Sequence, residues 1–154
     1  MIEIRQMRSD EADVLGGVMW RAIRDGPSQY TEAQRAAWLR KVPRGQTWAE
    51  RLDQSSVWVA DVQDTAVGFL TLQAGGYIDL AFVDPAAQGR GVFSALYAAA
   101  ECAARARGLD HLLTHASLMA QPAFAARGFH VIAHETVQRA GLMLARAEMK
   151  KVLT

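Results

Sequence analysis

The pattern of apolar and polar residues along the chain predicts an alternation of strands and helices. Segments in which apolar and polar residues alternate, or in which short apolar runs occur, are typical of strands. Segments that begin with a capping residue such as Ser, Asp or Thr and stop at Gly or Pro are typical of helices. The predicted strands are residues 1–7, 56–60, 66–73, 77–83, 109–116 and 129–137, and the predicted helices are residues 9–24, 31–41, 47–54, 93–107 and 119–127.

The last segment, residues 141–152, is compatible with either a helix or a strand. A strand is favoured, because the strand predicted before it would otherwise end the sheet without a partner. The order of elements then predicts an α/β fold with a mixed sheet. Residues 77–116 form one strand–helix–strand unit, whose crossover should be right-handed.

The composition predicts the number of domains and argues against two kinds of partner. The chain has 154 residues, of which 51% are hydrophobic and 21% charged, which predicts one globular domain over residues 1–154. The net charge of +1 provides no polybasic surface, so neither nucleic acid nor a membrane is an expected partner. One cysteine and the lack of a signal-peptide core lead us to expect a cytoplasmic protein. Trp20 and Cys102 are interpreted as core residues.

Candidate chemistry is concentrated in the turn DPAAQGRGVFS, residues 84–94, between a strand and a long helix. Gly89 and Gly91 allow positive φ angles and close approach of a ligand to the main chain. Unpaired N–H groups at the start of the helix favour an anion, and Arg90 adds a cation. The turn is therefore interpreted as phosphate-binding, the alternative being that the glycines only shape the connection. Walker-type and dinucleotide-binding glycine patterns are absent from the sequence.

The segment LAFVDPAAQGRGVFSALY, residues 80–97, resembles the acetyl-CoA-binding motif of the GNAT acetyltransferase superfamily. Gln88 and Gly91 match the family pattern [QR]-x-x-G-x-[GA], and FAARGF at residues 124–129 resembles a second recurring motif. Residues 30–38 are similar to the corresponding segment of an uncharacterised bacterial subgroup. The resemblance implies a mixed, mostly antiparallel sheet of about six to seven strands, with helices on both faces and a splayed central parallel pair.

The resemblance also implies acetyl-CoA as cosubstrate and no metal ion. Main-chain groups near Phe82 and Val83 would bind pantetheine, and the turn would bind the diphosphate. The turn residues concerned are Gln88, Gly89, Arg90, Gly91, Val92, Phe93 and Ser94. Phe93 replaces a small residue and would crowd the phosphates unless its side chain turns toward the core. Near the same cofactor, Phe124 stands where the family often has a Tyr that acts as general acid, and Ser117 stands where it often has an Asn. Phe124 cannot donate a proton, so the usual general acid is missing.

Asp79 stands on the strand before the turn, where many family members carry Glu. Transfer to an amine requires removal of a proton, and Asp79 is the candidate for this step, directly or through water. Its alternation with Ile78 and Leu80 predicts that it faces away from both. The alternative is a solvated or hydrogen-bonded strand carboxylate without a catalytic role.

Aromatic residues and one histidine are the candidates for contact with the acceptor. Tyr30 is a second catalytic candidate, and Tyr30, Trp38, Tyr77 and His115 are expected to bind the acceptor. Burial in the core is the alternative for Tyr30 and Trp38. His115 could also be a structural histidine.

Two pairs of histidines, His111 with His115 and His130 with His134, are four residues apart. Both pairs lie in predicted strands, where four residues span about 13 Å, so neither pair can share one metal ion.

Together these features predict an N-acetyltransferase that moves an acetyl group directly from acetyl-CoA to a primary amine of a small molecule or peptide. One alternative is a non-catalytic acyl-CoA sensor or partner-binding module. Another is an α/β domain that binds a different phosphate ligand. Exposed edge strands would allow a homodimer.

Overall fold

The computed structural model describes residues 1–154 as one seven-stranded sheet with five α-helices. The strands are β1 (Glu3–Gln6), β2 (Ser56–Val62), β3 (Thr65–Leu72), β4 (Tyr77–Val83), β5 (His111–Ser117), β6 (His130–Arg139) and β7 (Leu142–Val152). The helices are α1 (Ala12–Arg24), α2 (Glu32–Trp38), α3 (Gly45–Asp53), α4 (Val92–Ala106) and α5 (Gln121–Ala125), and a single 3-10 turn, Pro85–Ala87, precedes α4. None of the helices is long and apolar enough to cross a membrane.

The strands lie in the order β1-β2-β3-β4-β5-β7-β6, and only the β4–β5 pair is parallel. Helix α4 connects these two strands, as in the predicted strand–helix–strand unit. The segment whose assignment was open is a strand, β7, inserted between β5 and β6. The mixed, mostly antiparallel sheet is therefore confirmed. Strands β1 and β6 form its two edges, and a homodimer stays a prediction.

Apolar side chains pack on both faces of the sheet. Helix α4 contributes to a cluster of 18 buried residues on one face, which includes Leu70 and Leu96. Helices α1 and α3 contribute to a cluster of 12 on the other face, which includes Leu15 and Phe69. Each fully buried side chain of this size contributes about 1.5–3 kcal/mol.

Strand β4 contains one extra residue relative to β3. Leu72 pairs with Ile78, whereas Leu70, two residues earlier in β3, pairs with Ala81, three residues later in β4. Such a bulge bends the strand and changes the direction of the side chains within it. The bulge lies directly before the turn that carries the candidate chemistry.

Because of the bulge, the predicted orientation of Asp79 relative to its neighbours is wrong. Ile78 belongs to the cluster under α4, but Leu80 belongs to the cluster under α1 and α3, so the two do not share a face. The amide of Leu80 donates to Thr71 Oγ1 at 3.0 Å, which stabilises the irregular segment. Strict alternation around Asp79 is therefore wrong, because an extra residue interrupts the two-residue period.

Strands β4 and β5 pair at only two positions and then separate. Tyr77 pairs with Leu113 and Ile78 with Thr114. The Thr114 hydroxyl donates to the Ile78 carbonyl at 3.0 Å, so a side chain replaces the next main-chain bond. The predicted opening between the two central parallel strands is present.

Helix α1 begins later than the sequence predicted. Glu11 is at its N-cap, and Ser9 and Asp10 both precede it. The Glu11 carboxylate accepts hydrogen bonds from the Arg5 guanidinium at 2.6 and 2.9 Å and from the Arg8 amide at 3.1 Å. The hydrogen bonds from Arg5 lower the pKa of Glu11, so this carboxylate joins the start of α1 to β1.

The predicted burial of Trp20 and Cys102 is wrong. Trp20 is only partly buried, and the Arg24 guanidinium lies 4.5 Å from its ring centroid. Cys102 is exposed, because Ala100 and Ala104 face the sheet and a residue halfway between them points to the opposite side of the helix.

Candidate active site

Two cavities lie side by side at the carboxyl end of β4. The first, here called the turn cavity, measures about 250 Å³ and lies between residues 83–94, α5 and Arg127. The second, here called the splay cavity, measures about 270 Å³ and lies where β4 and β5 diverge, beside α1, α2 and β7. Phe82 lines the splay cavity and Val83 lines the turn cavity, so the cavities adjoin along one strand.

Side chains at both ends of the turn maintain its shape. Asp84 Oδ1 accepts a hydrogen bond from the Ala86 amide at 3.1 Å, and Oδ2 accepts one from Arg21 of α1 at 2.7 Å. The side-chain amide of Gln88 donates to the Val83 carbonyl at 3.2 Å. These bonds connect the end of β4 to the segment that leads into α4.

The main chain of the turn presents its donors outward. Gly89 and Gly91 have φ angles of 77° and 83°, and no atom lies within 4 Å of a Cβ built at either position. Gly91 is the N-cap of α4, a helix of 15 residues. None of the amides of residues 89–94 donates to a main-chain carbonyl. Free N–H groups at the positive end of a helix fit a diphosphate.

Arg127 adds a cation to the turn cavity. Its guanidinium donates a hydrogen bond to Ser94 Oγ in the first turn of α4. Arg90, by contrast, is exposed at the tip of the turn. Arg127 lies within the FAARGF motif, but the motif predicts no role for it, because its contact with Ser94 depends on how α5 packs against α4.

The ring of Phe93 packs away from the turn. It stacks on Tyr97, with ring centroids 6.2 Å apart, and meets the edge of Phe124 at 5.1 Å. Phe124 contacts Phe129 at 5.0 Å and is 2% exposed. The four rings form one aromatic cluster, so the side chain at position 93 is a wall of the turn cavity and does not fill it.

The splay cavity has apolar walls and a polar side. The apolar residues that line it are Met19, Trp38, Leu39, Leu80, Ala81, Phe82, Ala116, Ala120, Phe124, Val137, Leu144 and Ala145, and the polar residues are Tyr30, Arg51, Tyr77, Asp79, Thr114, His115, Ser117, Arg139 and Arg146. The four predicted acceptor contacts, Tyr30, Trp38, Tyr77 and His115, are thus brought together in one cavity. Ser117 lines this cavity too, and the turn cavity does not include it.

Asp79 lies on the wall of the splay cavity in an ion pair with Arg51 of α3. Arg51 Nε and Nη2 each donate to one carboxylate oxygen of Asp79, both at 3.0 Å. The Asp79 side chain is 19% exposed and that of Arg51 is 47% exposed. Both oxygens of the predicted base therefore already accept hydrogen bonds.

Tyr30 is 7% exposed, and its hydroxyl is bound on both sides. It donates to the Ala145 carbonyl of β7 at 2.6 Å and accepts a hydrogen bond from the Leu118 amide at 2.9 Å. Burial raises the pKa of Tyr30. Its ring meets that of Trp38 edge-on at 5.7 Å. Tyr30 thus connects two walls of the cavity, and a catalytic role for it stays a prediction.

Tyr77 and His115 are in direct contact across the splay. Tyr77 Oη lies 2.8 Å from His115 Nδ1. His115 Nε2 lies 3.3 Å from Glu148 Oε2 and 3.7 Å from Glu135 Oε1, and Arg146 Nε donates to Glu135 Oε1 at 2.5 Å. Burial, followed by the negative charge of the nearby Asp79, raises the pKa of Tyr77.

The main chain of β4 offers hydrogen-bonding groups to the splay. The Asp84 amide donates to the Val67 carbonyl of β3 at 2.8 Å. Because bonding alternates along an antiparallel ladder, the main chain of Phe82 also faces β3, and that of Ala81 and Val83 faces the gap beside β5. Of the two residues predicted near pantetheine, Val83 therefore has its main chain toward the gap and Phe82 has its main chain toward β3, and contact of either with pantetheine stays a prediction.

Arg51 and Arg146 line the splay cavity, Arg127 lines the turn cavity, and Glu148 contacts His115. No role was predicted for these four residues. Each lies at least 11 positions from its partner along the chain, so no local motif identifies it. The structure contains no group of three or more His, Cys, Asp or Glu side chains arranged to hold a metal ion.

Comparisons with known proteins give the class of this chain. The family model described as "Acetyltransferase (GNAT) domain" matches residues 27–153. The chain is 33% identical over 141 residues to "Uncharacterized N-acetyltransferase YafP" of Escherichia coli (strain K12), which is 91% of this chain and 89% of that relative. The chain therefore belongs to the GNAT family of N-acetyltransferases.

Solved structures agree with this assignment. A GCN5-related N-acetyltransferase from Rhodopseudomonas palustris superimposes with a TM-score of 0.89 at 32% identity, over 98% of this chain and 95% of that one. A PaiA N-acetyltransferase from Thermoplasma acidophilum, described in complex with coenzyme A, shares the fold with a TM-score of 0.75 at 18% identity, over 99% of both chains. The protein yncA from Salmonella typhimurium, described "with its cofactor Acetyl-CoA", shares the fold with a TM-score of 0.70 at 17% identity, over 100% of this chain and 95% of that one.

Proposed function

We propose that this protein transfers an acetyl group from acetyl-CoA directly to a primary amine of a small molecule or peptide. The observation that carries the proposal is the junction of the two cavities at Phe82 and Val83. One cavity presents main-chain donors suited to a diphosphate, and the other presents side chains that bind and move protons. A thioester that extends from the first cavity into the second would meet an amine there.

The donor would bind mainly through the main chain. The amides of residues 89–94 and the guanidinium of Arg127 would hold the diphosphate. Pantetheine would occupy the gap beside β4 and bond to Ala81 and Val83, as an added strand would. Two proteins with this fold are described with coenzyme A or acetyl-CoA, which supports coenzyme A as the ligand.

Direct transfer depends on positioning and on stabilising the charge that develops. In the step, the amine nitrogen attacks the carbonyl carbon, the C–S bond breaks, and coenzyme A leaves as a thiol after taking up a proton. Holding the two reactants together supplies much of the acceleration. A main-chain N–H near Val83 that faces the gap on the splay side, that of Ala81, would donate to the thioester oxygen as negative charge forms on it.

Asp79 is the carboxylate proposed to take part in removing the amine proton. Its ion pair with Arg51 uses one lone pair of each carboxylate oxygen, so a second lone pair on each oxygen is left to accept a proton directly or through water. Asp79→Asn tests this role: a relay through Asp79 requires a lower kcat/KM and an altered pH dependence between pH values of about 6 and 9. An unchanged profile removes Asp79 from the mechanism.

The proposed activity is tested by incubating the protein with acetyl-CoA and a panel of small amines and peptides while free thiol is measured. We expect saturable, amine-dependent release of coenzyme A and a product heavier than the amine by one acetyl group. Thiol release without an acetylated product would contradict transfer to an amine.

A non-catalytic acyl-CoA sensor is the second candidate, and the presence of Phe124 where relatives often carry a proton donor favours it. The packing of Phe93 gives it no support, because that ring leaves the turn cavity open. Saturable binding of coenzyme A without turnover of any amine would favour the sensor.

A further inference from the structure

We propose that Tyr77, His115 and Glu148 form a proton relay that removes the proton from the acceptor amine. The proposal rests on the proposed acetyl transfer and is the alternative to Asp79 for removal of the amine proton. The three side chains come from β4, β5 and β7 and form one continuous chain of contacts, 2.8 Å from Tyr77 Oη to His115 Nδ1 and 3.3 Å from His115 Nε2 to Glu148 Oε2.

The registers of the sheet bring these side chains together. His115 and Glu148 are directly opposite one another in the antiparallel β5–β7 pair. Tyr77 is opposite Leu113, two residues before His115, so Tyr77 and His115 lie on the same face of neighbouring strands. The Tyr77–His115 contact crosses the gap at the point where β4 and β5 begin to separate. Both side chains line the splay cavity, where the acceptor is proposed to bind.

The hydrogen-bond partners determine which ring nitrogen carries the proton. An ionised Glu148 only accepts hydrogen bonds, so the neutral His115 ring carries its proton on Nε2. Nδ1 is then an acceptor and takes the hydrogen bond from the Tyr77 hydroxyl. A lone pair of Tyr77 Oη remains for a donor in the cavity, such as an ammonium group.

The relay step is balanced by the transfer of two protons. One proton passes from the ammonium nitrogen to Tyr77 Oη while the hydroxyl proton passes from Oη to His115 Nδ1. The amine becomes neutral with a free electron pair, Tyr77 is unchanged, and the positive charge resides on the imidazolium. His115, whose side chain is 25% exposed, then releases this proton to water.

Carboxylates lie on the Nε2 side of the His115 ring. Glu148 on β7 and Glu135 on β6 both face Nε2. Glu135 also pairs with Arg146, which offsets part of its charge, and Asp79 on β4 is paired with Arg51 on α3. Glu148 has no ion pair with Lys or Arg, so it is the carboxylate most available to the ring. The raised pKa of Tyr77 keeps its hydroxyl protonated, as a bridging group requires.

The relay is tested first by kinetics of His115→Gln and Tyr77→Phe, with His130→Gln as matched control. His130 is an exposed histidine on the edge strand β6. We expect both relay variants to lower kcat/KM by about 100-fold, as general-base variants do. The acidic limb of the pH profile of kcat/KM should disappear, and the affinity for coenzyme A should not change. His130→Gln should behave as the unmodified protein. Unaltered pH profiles in both relay variants would overturn the relay.

Nuclear magnetic resonance of the histidine side chains tests the same contacts without turnover. We expect a neutral His115 ring protonated on Nε2, an altered Nδ1 signal in Tyr77→Phe and an altered Nε2 signal in Glu148→Gln. A neutral ring protonated on Nδ1, or ring signals insensitive to both substitutions, would overturn the relay. If these signals appear as expected but no amine is acetylated, the proposed transfer fails while the hydrogen-bonded relay remains.

Discussion

The two cavities are built in different ways although they share a wall. The turn cavity consists largely of one continuous segment, residues 83–94, and its donors are main-chain amides. The splay cavity takes its side chains from four helices and four strands, and its polar groups act in pairs such as Tyr77 with His115. Hydrogen bonds from main-chain amides do not depend on which side chain a residue carries, whereas a pair of interacting side chains requires both partners. The proposed coenzyme A site should therefore tolerate substitution of side chains, and the proposed amine site should be sensitive to it.

The largest expected effect is at the main chain of the turn cavity. Gly91→Val places a β-branched residue at φ 83°, which costs about 1–2 kcal/mol, and puts its side chain where the diphosphate is proposed to lie. We expect coenzyme A affinity to fall at least about 100-fold by calorimetry. Gly108→Val is the matched control, since Gly108 has φ 75° at the other end of α4 and also open space around it. Equal losses of affinity in both variants would mean that strain in the helix, and not contact with the ligand, weakens binding.

Tyr30→Phe removes one hydroxyl from the wall of the splay cavity. The Ala145 carbonyl and the Leu118 amide lose their shared partner, so we expect the free energy of unfolding to fall by about 1–3 kcal/mol. The KM for the amine should rise, and the affinity for coenzyme A should stay the same.

Tyr97→Phe is the control for Tyr30→Phe. This variant also loses a hydrogen bond from a buried tyrosine hydroxyl, the 2.7 Å bond to Glu101. Tyr97, however, lines neither cavity. We expect lower stability with an unchanged KM. Weaker binding of coenzyme A in Tyr30→Phe would show that the two cavities are not independent.

Arg127→Met measures how much a side chain adds to the turn cavity. We expect about a 10-fold loss of coenzyme A affinity, the value of one charge-assisted hydrogen bond. Arg107→Met is its counterpart, because Arg107 also donates to a serine hydroxyl, that of Ser56 at 2.7 Å, away from both cavities. A loss in Arg127→Met as large as that in Gly91→Val would contradict the view that main-chain groups dominate this site.

Glu101→Gln is expected to affect stability alone. Burial raises the pKa of Glu101, but hydrogen bonds from Lys151, Tyr97 and Arg105 outweigh it and lower the value to about 2. A lowered pKa in the folded state stabilises the protein above the ordinary value of 4.5, and this contribution is lost as the pH falls toward about 2. The variant should therefore lose about 1–2 kcal/mol at pH 7, and the difference should vanish near pH 2 in acid-unfolding curves. A loss that does not change with pH would rule out ionisation as its cause.

Local patterns predicted the elements of the fold and the donor site. The turn at residues 84–94 could be interpreted from its glycines and from the helix that follows, because both features are local in the sequence. Thr31 likewise predicted the start of α2, where it forms a capping box with Gln34. Helix α2 nevertheless ends at Trp38 and not at Lys41, because the backbone of Leu39 is extended.

The sequence by itself determined the order of elements, the glycine turn before α4 and the residue types available for chemistry, since each depends on neighbours close along the chain. Only the tertiary structure decided which of those residues meet. The bulge in β4 depends on its register with β3, the ion pair of Asp79 joins residues 28 positions apart, and the Tyr77–His115 contact joins residues 38 positions apart. Strand register and helix packing bring such residues together, and both are set by the burial of apolar surface across the whole sheet.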